Sequence, residues 1–296
     1  MTDPANEPPE EPVEPAEPAK SAETVVAHDT GATPQDPWSD LRAFTSARLA
    51  LGRAGTSMPT AELLRFGFAH AQARDAVHLQ LDGAALAQAL ADDGLQSLQV
   101  HSAAPDRAAY LLRPDLGRRL DDASVQALRT AAGPDPTAGC DLLLVVGDGL
   151  SSLAVERNAR PLIAAIRALA PAGWRLGPAV IAQQARVALA DEAGALLGAR
   201  LVAMLIGERP GLSSPDSLGL YLTWQPTVGR HDAERNCISN IRPEGLAPEA
   251  AARRFWWLAQ EAKRLQLTGV QLKDRSDDVA LGKAAATSLP DDMPRG

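Results

Sequence analysis

The chain has 296 residues, of which 45% are hydrophobic, and is therefore long enough to bury one or two ordinary hydrophobic cores. Its formal net charge of −8 arises in residues 1–37, which carry nine acidic residues and one lysine, so the remainder is close to neutral. A near-neutral remainder argues against a protein that binds the phosphate backbone of nucleic acids, because such binding needs a basic face.

The absence of targeting signals and the spacing of the cysteines exclude further classes of protein. No apolar run approaches the roughly 20 residues that span a bilayer, and the N-terminus lacks the basic start and apolar segment of a secretory signal. We therefore expect a soluble protein of the cytoplasm. The two cysteines, Cys140 and Cys237, form no CxxC pair, which excludes a zinc knuckle, and we expect both thiols to be reduced.

Both ends of the chain have the composition of disordered tails. Residues 1–37 are rich in Pro, Glu and Ala without apolar periodicity, and residues 274–296 are similarly polar. Such segments cannot bury enough apolar surface to offset the entropy lost on ordering. We predict a disordered acidic N-terminal tail and a polar C-terminal tail.

Residues 38–137 show mainly helical signals. Thr60 is a candidate N-cap of a long helix, and residues 84–91 and 122–131 predict two further helices. The apolar residues that follow Thr60 at helical spacing are Leu63, Leu64, Phe66, Ala69, Ala73, Val77 and Leu81.

Residues 138–273 show strands alternating with helices, which are predicted at 152–169, 191–199 and 248–265. The predicted strands are DLLLVV (141–146), PAVIA (178–182), RLVAMLI (200–206), GLYLTW (219–224, as an edge strand) and GVQLK (269–273). This alternation is typical of a mostly parallel sheet with helices on both faces. We therefore predict an α/β fold, with a Rossmann-like or flavodoxin-like domain at 138–273 preceded by the helical region.

Two glycine-rich loops follow strong strands, Gly147–Ser151 and Gly207–Gly211. In open α/β sheets ligands bind at such strand ends, but the spacing alone favours tight turns for both loops. Neither loop is a phosphate motif, since Ser152 replaces the third glycine of GxGxxG and no GxxxxGK[ST] string occurs.

Other candidate chemistry is sparse. His70 and His78 are eight positions apart on one predicted helix, too far for a metal pair, and we expect packed or solvated roles. The segment RNCISNIRPEG (235–245) mixes apolar and short hydrogen-bonding residues. It fits either the rim of a site for an amide-bearing ligand or a buried thiol beside a strand end.

Six segments together resemble the small-subunit family of ethanolamine ammonia-lyase. They occur in family order between about residues 41 and 272, and GERPGL with DSL, and RNCISN, are the most specific. The segments are TSARLALGRAG (45–55), YLLRPDLGRRL (110–120), DGLSSLAV (148–155), ARVALADEAGALLGA (185–199), GERPGLSSPDSLGLY (207–221) and DAERNCISNIRPEG (232–245).

The resemblance implies a function that the spacing alone does not. Enzymes of this family convert ethanolamine to acetaldehyde and ammonia with adenosylcobalamin, whose Co–C homolysis starts radical chemistry. A large subunit is expected to hold the substrate, and the cobalamin to lie between the two chains. No D-x-H-x-x-G string occurs, so we expect cobalt to keep its dimethylbenzimidazole and the chain to supply no metal ligand.

Three cofactor contacts of the family match positions in this sequence, namely Val187, Glu208 and Cys237. The resemblance implies that Val187 acts mainly through its backbone, that the Glu208 carboxylate accepts from a corrin amide, and that Cys237 packs as a small soft group. Ala185 stands where some members have glycine, which bears on how closely the backbone reaches the ligand. No catalytic residue is expected in this chain.

Two other functions are alternatives to that of a lyase subunit. A flavodoxin-like regulator that binds a nucleotide would bind its ligand as an isolated chain, whereas a lyase subunit would bind cobalamin tightly only with its partner. A scaffold that recruits through its acidic tail leaves the glycine-rich strand ends unexplained. The family often works in a bacterial microcompartment, but residues 1–37 show no amphipathic pattern typical of an encapsulation helix.

Overall fold

The computed structural model describes residues 38–45, 47–133 and 139–277. The predicted disorder of 1–37, and of all but the first residues of 274–296, therefore lies outside the described residues.

The chain divides into two compact units, residues 1–59 and 60–296. The described part of the first unit contains a 3-10 helix, Ser39–Ala43, and an antiparallel bridge between Ala54 and Ser57. The second unit contains the sheet described below.

Among the described residues, six strands form one mixed sheet. They are β1 (Ser97–His101), β2 (Leu142–Gly147), β3 (Ala179–Gln183), β4 (Leu201–Gly207), β5 (Leu218–Trp224) and β6 (Asn236–Ile241). The order is β1-β3-β2-β4-β5-β6; the first three pairings are parallel and the last two antiparallel. The predicted α/β fold with a mostly parallel sheet is confirmed.

The described helices of the second unit are α1 (Thr60–His78), α2 (Gly83–Asp92), α3 (Arg107–Leu112), α4 (Asp122–Ala132), α5 (Ser152–Ala168), α6 (Leu189–Leu196) and α7 (Pro248–Leu265), with 3-10 turns at Leu116–Arg118 and Asp232–Glu234. Side-chain caps explain several starts: Asp82, Asp106, Asp121 and Ser151 each accept from a backbone amide in the first turn.

Helices cover the two faces of the sheet unequally. On one face, α2, α5 and α7 bury a large apolar cluster, in which Trp256 also donates to the Ile166 carbonyl oxygen at 2.8 Å. On the other face, Leu128 of α4 and Leu189 of α6 pack against β1 to β4. The strand residues of this second cluster come from β1 to β4, with Tyr221 of β5 at its margin. Each fully buried Leu or Phe contributes about 1.5–3 kcal/mol.

Three predictions about the strands were wrong or incomplete. GVQLK is not a strand. The Asn236 side chain accepts from the Gly269 amide and donates to the Leu272 carbonyl oxygen, so these backbone groups do not pair with a neighbouring strand. GLYLTW is not at the edge, since β6 pairs beyond it. β1 lies within the region predicted to be mainly helical and pairs with β3.

Gly207, at the end of β4, provides a test of the packing at the carboxyl edge of the sheet, which is the edge where the parallel strands end. A Cβ there would lie 2.0 Å from the Ser151 carbonyl oxygen. Gly207→Ala should therefore lower the free energy of unfolding by about 1–3 kcal/mol in a urea titration. Gly67→Ala in α1, whose Cβ meets nothing within 4 Å, should instead raise it by about 0.5–1 kcal/mol. Equal stability of the two variants would contradict this packing.

Candidate functional site

The two glycine-rich loops pack against each other. The first contains a turn at Gly149 and Leu150, and the second leads into a turn closed by a bridge between Gly211 and Ser214. The Leu150 amide donates to the Gly207 carbonyl oxygen at 3.0 Å, and a Cβ on Gly149 would lie 2.2 Å from that same oxygen. Ser151 caps α5 and its hydroxyl donates to the Pro215 carbonyl oxygen. Backbone groups of this pair of turns are thus used within the protein, which leaves little room for a phosphate.

The turn after β3, which leads to Val187, depends on a buried carboxylate. Gln184 has a φ of +54°, a left-handed conformation that is costly for a side chain other than glycine. Asp148, at the end of β2, accepts from the Gln184 amide at 2.9 Å and the Ala185 amide at 2.8 Å. Arg107 lies 3.4 Å from the same carboxylate. Burial raises the pKa of Asp148, whereas these amides and the guanidinium lower it.

The other side of this turn is held by α3 and the 3-10 turn that follows it. The buried Tyr110 hydroxyl donates to the Ala185 carbonyl oxygen at 3.1 Å. The Arg186 amide donates to the Gly117 carbonyl oxygen at 2.8 Å, and its guanidinium stacks 4.4 Å from the centre of the Tyr110 ring. Contacts on both sides therefore fix the backbone immediately before Val187.

Two backbone donors remain available at the end of this turn. Neither the Val187 amide nor the Ala188 amide donates a hydrogen bond to any of the described residues. Both residues are half-buried, and the Val187 side chain packs at the margin of the apolar cluster under α4 and α6. An unused amide in such a position suits a ligand with a carbonyl oxygen.

Glu208 follows β4 directly and keeps one carboxylate oxygen unused. Its Oε2 accepts from the Ser217 hydroxyl in a short contact and from the Asn240 amide at 3.4 Å. No donor among the described residues reaches Oε1. A Cβ on Gly219 would lie 2.9 Å from Oε1, so the glycine makes room for the carboxylate on the sheet.

Cys237 pairs with Tyr221 across β5 and β6, so the two side chains lie next to each other on the same face of the sheet. The residue exposes surface at the sheet edge, yet its sulfur is partly enclosed. This desolvation raises the pKa of the Cys237 thiol, the neighbouring Tyr221 hydroxyl lowers it, and the Glu208 carboxylate raises it again. Desolvation likewise raises the pKa of Tyr221. Glu208 and Cys237 thus meet around one half-buried tyrosine.

A buried ion pair ties the start of α6 to the start of β6. Arg235 donates to Asp191 at 2.7 Å and to the Thr223 hydroxyl at 2.9 Å, and both charged side chains are almost fully buried. Asp191 is four residues after Val187, and Arg235 is two residues before Cys237. The pair therefore links the segments that carry two of the three predicted site residues.

The three predicted residues consequently lie on one face of the sheet. Val187 and Tyr221 border the same apolar cluster, and Glu208 and Cys237 surround Tyr221. A groove of about 850 Å³ lies at the opposite, amino end of the strands and contains none of the three. The described residues contain no group of His, Cys, Asp and Glu that could hold a metal ion.

The sequence patterns missed the residues that support the site. Asp148 lies in the first glycine-rich loop, between Gly147 and Gly149 at the end of a buried strand. This position is a sequence feature from which a supporting role could have been predicted. Arg107 and Tyr110 gave no signal, because their partners are 41 and 75 positions away. The charge pair of Asp191 and Arg235 spans 44 positions and was missed for the same reason.

Comparison with known proteins decides the family. The family described as "Ethanolamine ammonia-lyase light chain" matches residues 35–273. The chain belongs to the ethanolamine ammonia-lyase small-subunit family. It is 58% identical over 246 residues to an ethanolamine ammonia-lyase small subunit of Pseudomonas putida strain W619, covering 83% of this chain and 90% of the relative. Identity to the Pseudomonas fluorescens SBW25 small subunit is 56% over 268 residues, covering 88% and 96%.

Membership of the ethanolamine ammonia-lyase family confirms the resemblance found in the sequence. The chain is a subunit of ethanolamine ammonia-lyase, a carbon–nitrogen lyase of ethanolamine catabolism. The family depends on adenosylcobalamin, and a small subunit implies a large-subunit partner. None of the described helices is both long and apolar enough to cross a membrane.

Removing the Asp148 carboxylate should unfold the carboxyl edge of the sheet. Asp148→Ala leaves Arg107 buried without its counter-charge and should lower the free energy of unfolding by about 3–5 kcal/mol in urea. Asp93→Ala, which breaks an exposed pair with Arg160, is the matched control and should have a much smaller effect. Similar losses in both variants would rule out a special role for Asp148.

Proposed function

We propose that this chain binds adenosylcobalamin on the uncovered face of β5 and β6, at the interface with the large subunit. The observation that carries the proposal is the convergence, on one face, of an unused amide at Val187, an unused carboxylate oxygen on Glu208 and the exposed residue Cys237. The corrin periphery carries amide groups that both donate and accept, so these residues fit it.

Each residue has a distinct role in this proposal. The Val187 amide donates to a carbonyl oxygen of a corrin side chain, and Glu208 Oε1 accepts from an amide nitrogen. Cys237 stays protonated, because its raised pKa keeps the thiolate minor at neutral pH, and packs as a small polarizable group. When bound, the cofactor supplies the radical that acts on ethanolamine; this chain binds and orients it and supplies no cobalt ligand.

The proposed division of labour between the two subunits is the one that the family resemblance implies. This chain holds one side of the cofactor, and the large subunit holds ethanolamine on the other. The nucleotide-binding alternative is less well supported, because the glycine-rich turns are filled by their own backbone contacts. We place the assembly in the cytoplasm, and enclosure in a microcompartment stays a prediction.

Glu208 should act on cofactor affinity and leave substrate affinity unchanged. Loss of a hydrogen bond to a charged acceptor costs about 1.5–3 kcal/mol, which is roughly 10- to 150-fold in affinity. Glu208→Ala in the reconstituted complex should raise the apparent KM for adenosylcobalamin by that factor, with the KM for ethanolamine nearly constant. Glu208→Gln should lose less, because its amide oxygen still accepts.

The control variant is Glu156→Ala, which removes an exposed carboxylate from α5. It should leave both KM values unchanged. If Glu208 served only to brace its loop through Ser217, Glu208→Ala would lower the melting temperature while cofactor affinity stayed normal. That result would remove Glu208 from the cofactor site.

Cys237 provides a footprint of the bound cofactor. In the isolated chain iodoacetamide should label exposed Cys237 well before buried Cys140. Addition of the large subunit with adenosylcobalamin should slow labelling of Cys237 at least tenfold more than the large subunit alone, as measured by peptide mass spectrometry. Labelling of Cys237 that is insensitive to the cofactor would place the corrin elsewhere.

A further inference from the structure

The N-terminal half of α1 presents large apolar side chains to solvent. Leu63, Leu64 and Phe68 are 59%, 68% and 66% exposed. The residues that α1 buries are small, Ala69 and Ala76. At helical spacing these alanines share one side of the helix, while Leu63 and Leu64 lie on the opposite side with Phe68 beside them. Adjacent exposed residues of this size are typical of a surface that another molecule covers.

The C-terminal end of α1 is fixed to the edge of the sheet that bears the proposed cofactor site. The Arg107 guanidinium donates to the Val77 carbonyl oxygen at 2.8 Å, and the Ser152 hydroxyl donates to the Leu79 carbonyl oxygen at 2.8 Å. Arg107 is also the partner of Asp148, which holds the turn leading to Val187. A partner that covers the cofactor at this edge is therefore well placed to reach α1.

We infer that Leu63, Leu64 and Phe68 form a docking surface for the large subunit, continuous with the proposed cofactor interface on which this inference rests. Three such side chains offer only a few hundred Å². A stable interface needs roughly 800 Å² from each partner. The surface therefore suits one part of a larger heteromeric contact better than a separate dimer of this chain.

The chain's own N-terminal segment is a poor alternative occupant. Residues 1–37 contain no Leu, Ile, Phe, Trp or Tyr, and their nine acids and many prolines give them little apolar surface with which to cover a hydrophobic helix. A large subunit would supply the apolar surface that residues 1–37 lack.

The test replaces the three residues with glutamine, a good helix former, and measures assembly. The variant Leu63→Gln/Leu64→Gln/Phe68→Gln should melt close to the wild-type chain, because these side chains are exposed. Its dissociation constant for the purified large subunit, measured by sedimentation velocity without cofactor, should rise at least tenfold. Leu64→Gln alone should raise it about threefold and serves if the triple variant is unstable.

The matched control is Leu169→Gln/Leu265→Gln. Both residues are also exposed leucines. Leu169 follows the last residue of α5 and Leu265 is the last residue of α7, and both helices run away from the carboxyl edge of the sheet. The control should bind the large subunit with wild-type affinity. Wild-type affinity in the triple variant would overturn the inference, and so would a loss limited to self-association of the isolated chain. Equal weakening of test and control variants would also overturn it, since the effect would not be specific to α1.

A cobalamin titration of the wild-type assembly separates this inference from the proposed function. If the wild-type assembly binds no cobalamin while the triple variant still loses its partner, the cofactor proposal fails and the docking surface stands. If cobalamin binds normally and the triple variant assembles normally, the docking surface fails and the cofactor proposal stands.

Discussion

The Asp148 carboxylate is the contact on which the carboxyl edge of the sheet depends. It is buried at the end of β2 and accepts from two successive amides of the neighbouring turn. A buried charge is tolerated only when it is paired and hydrogen-bonded, so Asp148 needs these amides and Arg107 as much as they need it. The strained φ of Gln184 persists because the carboxylate, together with Tyr110, over-determines the turn.

A second buried pair extends this rigidity across the sheet. Asp191 and Arg235 join α6 to β6, so the amide at Val187 and the thiol at Cys237 are carried by segments that cannot move independently. Preorganised donors and acceptors bind a ligand with less ordering cost than mobile ones. The two buried pairs thus hold the segments that carry Val187 and Cys237 in one arrangement.

The mixed topology of the sheet explains why the described helices do not cover β5 and β6 on the face that bears Tyr221. Parallel strands need crossover connections, and helices in those connections cover the sheet over β1 to β4. The antiparallel strands β5 and β6 are joined without such a crossover, and α7 packs on the opposite face. No described helix therefore covers part of the face beside Tyr221.

The sequence by itself determined the α/β class, most strand and helix positions, and the family, because periodicity and local motifs are properties of neighbouring residues. The helices α5 and α7 lie almost where their apolar spacing predicted them. Only the tertiary structure decided that β6 is the edge strand, that β1 joins the sheet, and that 269–273 is not a strand. It also decided which side chains support the site, since pairs such as Asp148–Arg107 and Asp191–Arg235 bring together residues more than 40 positions apart. Burial creates the need for such pairs, and burial exists only after the chain has folded.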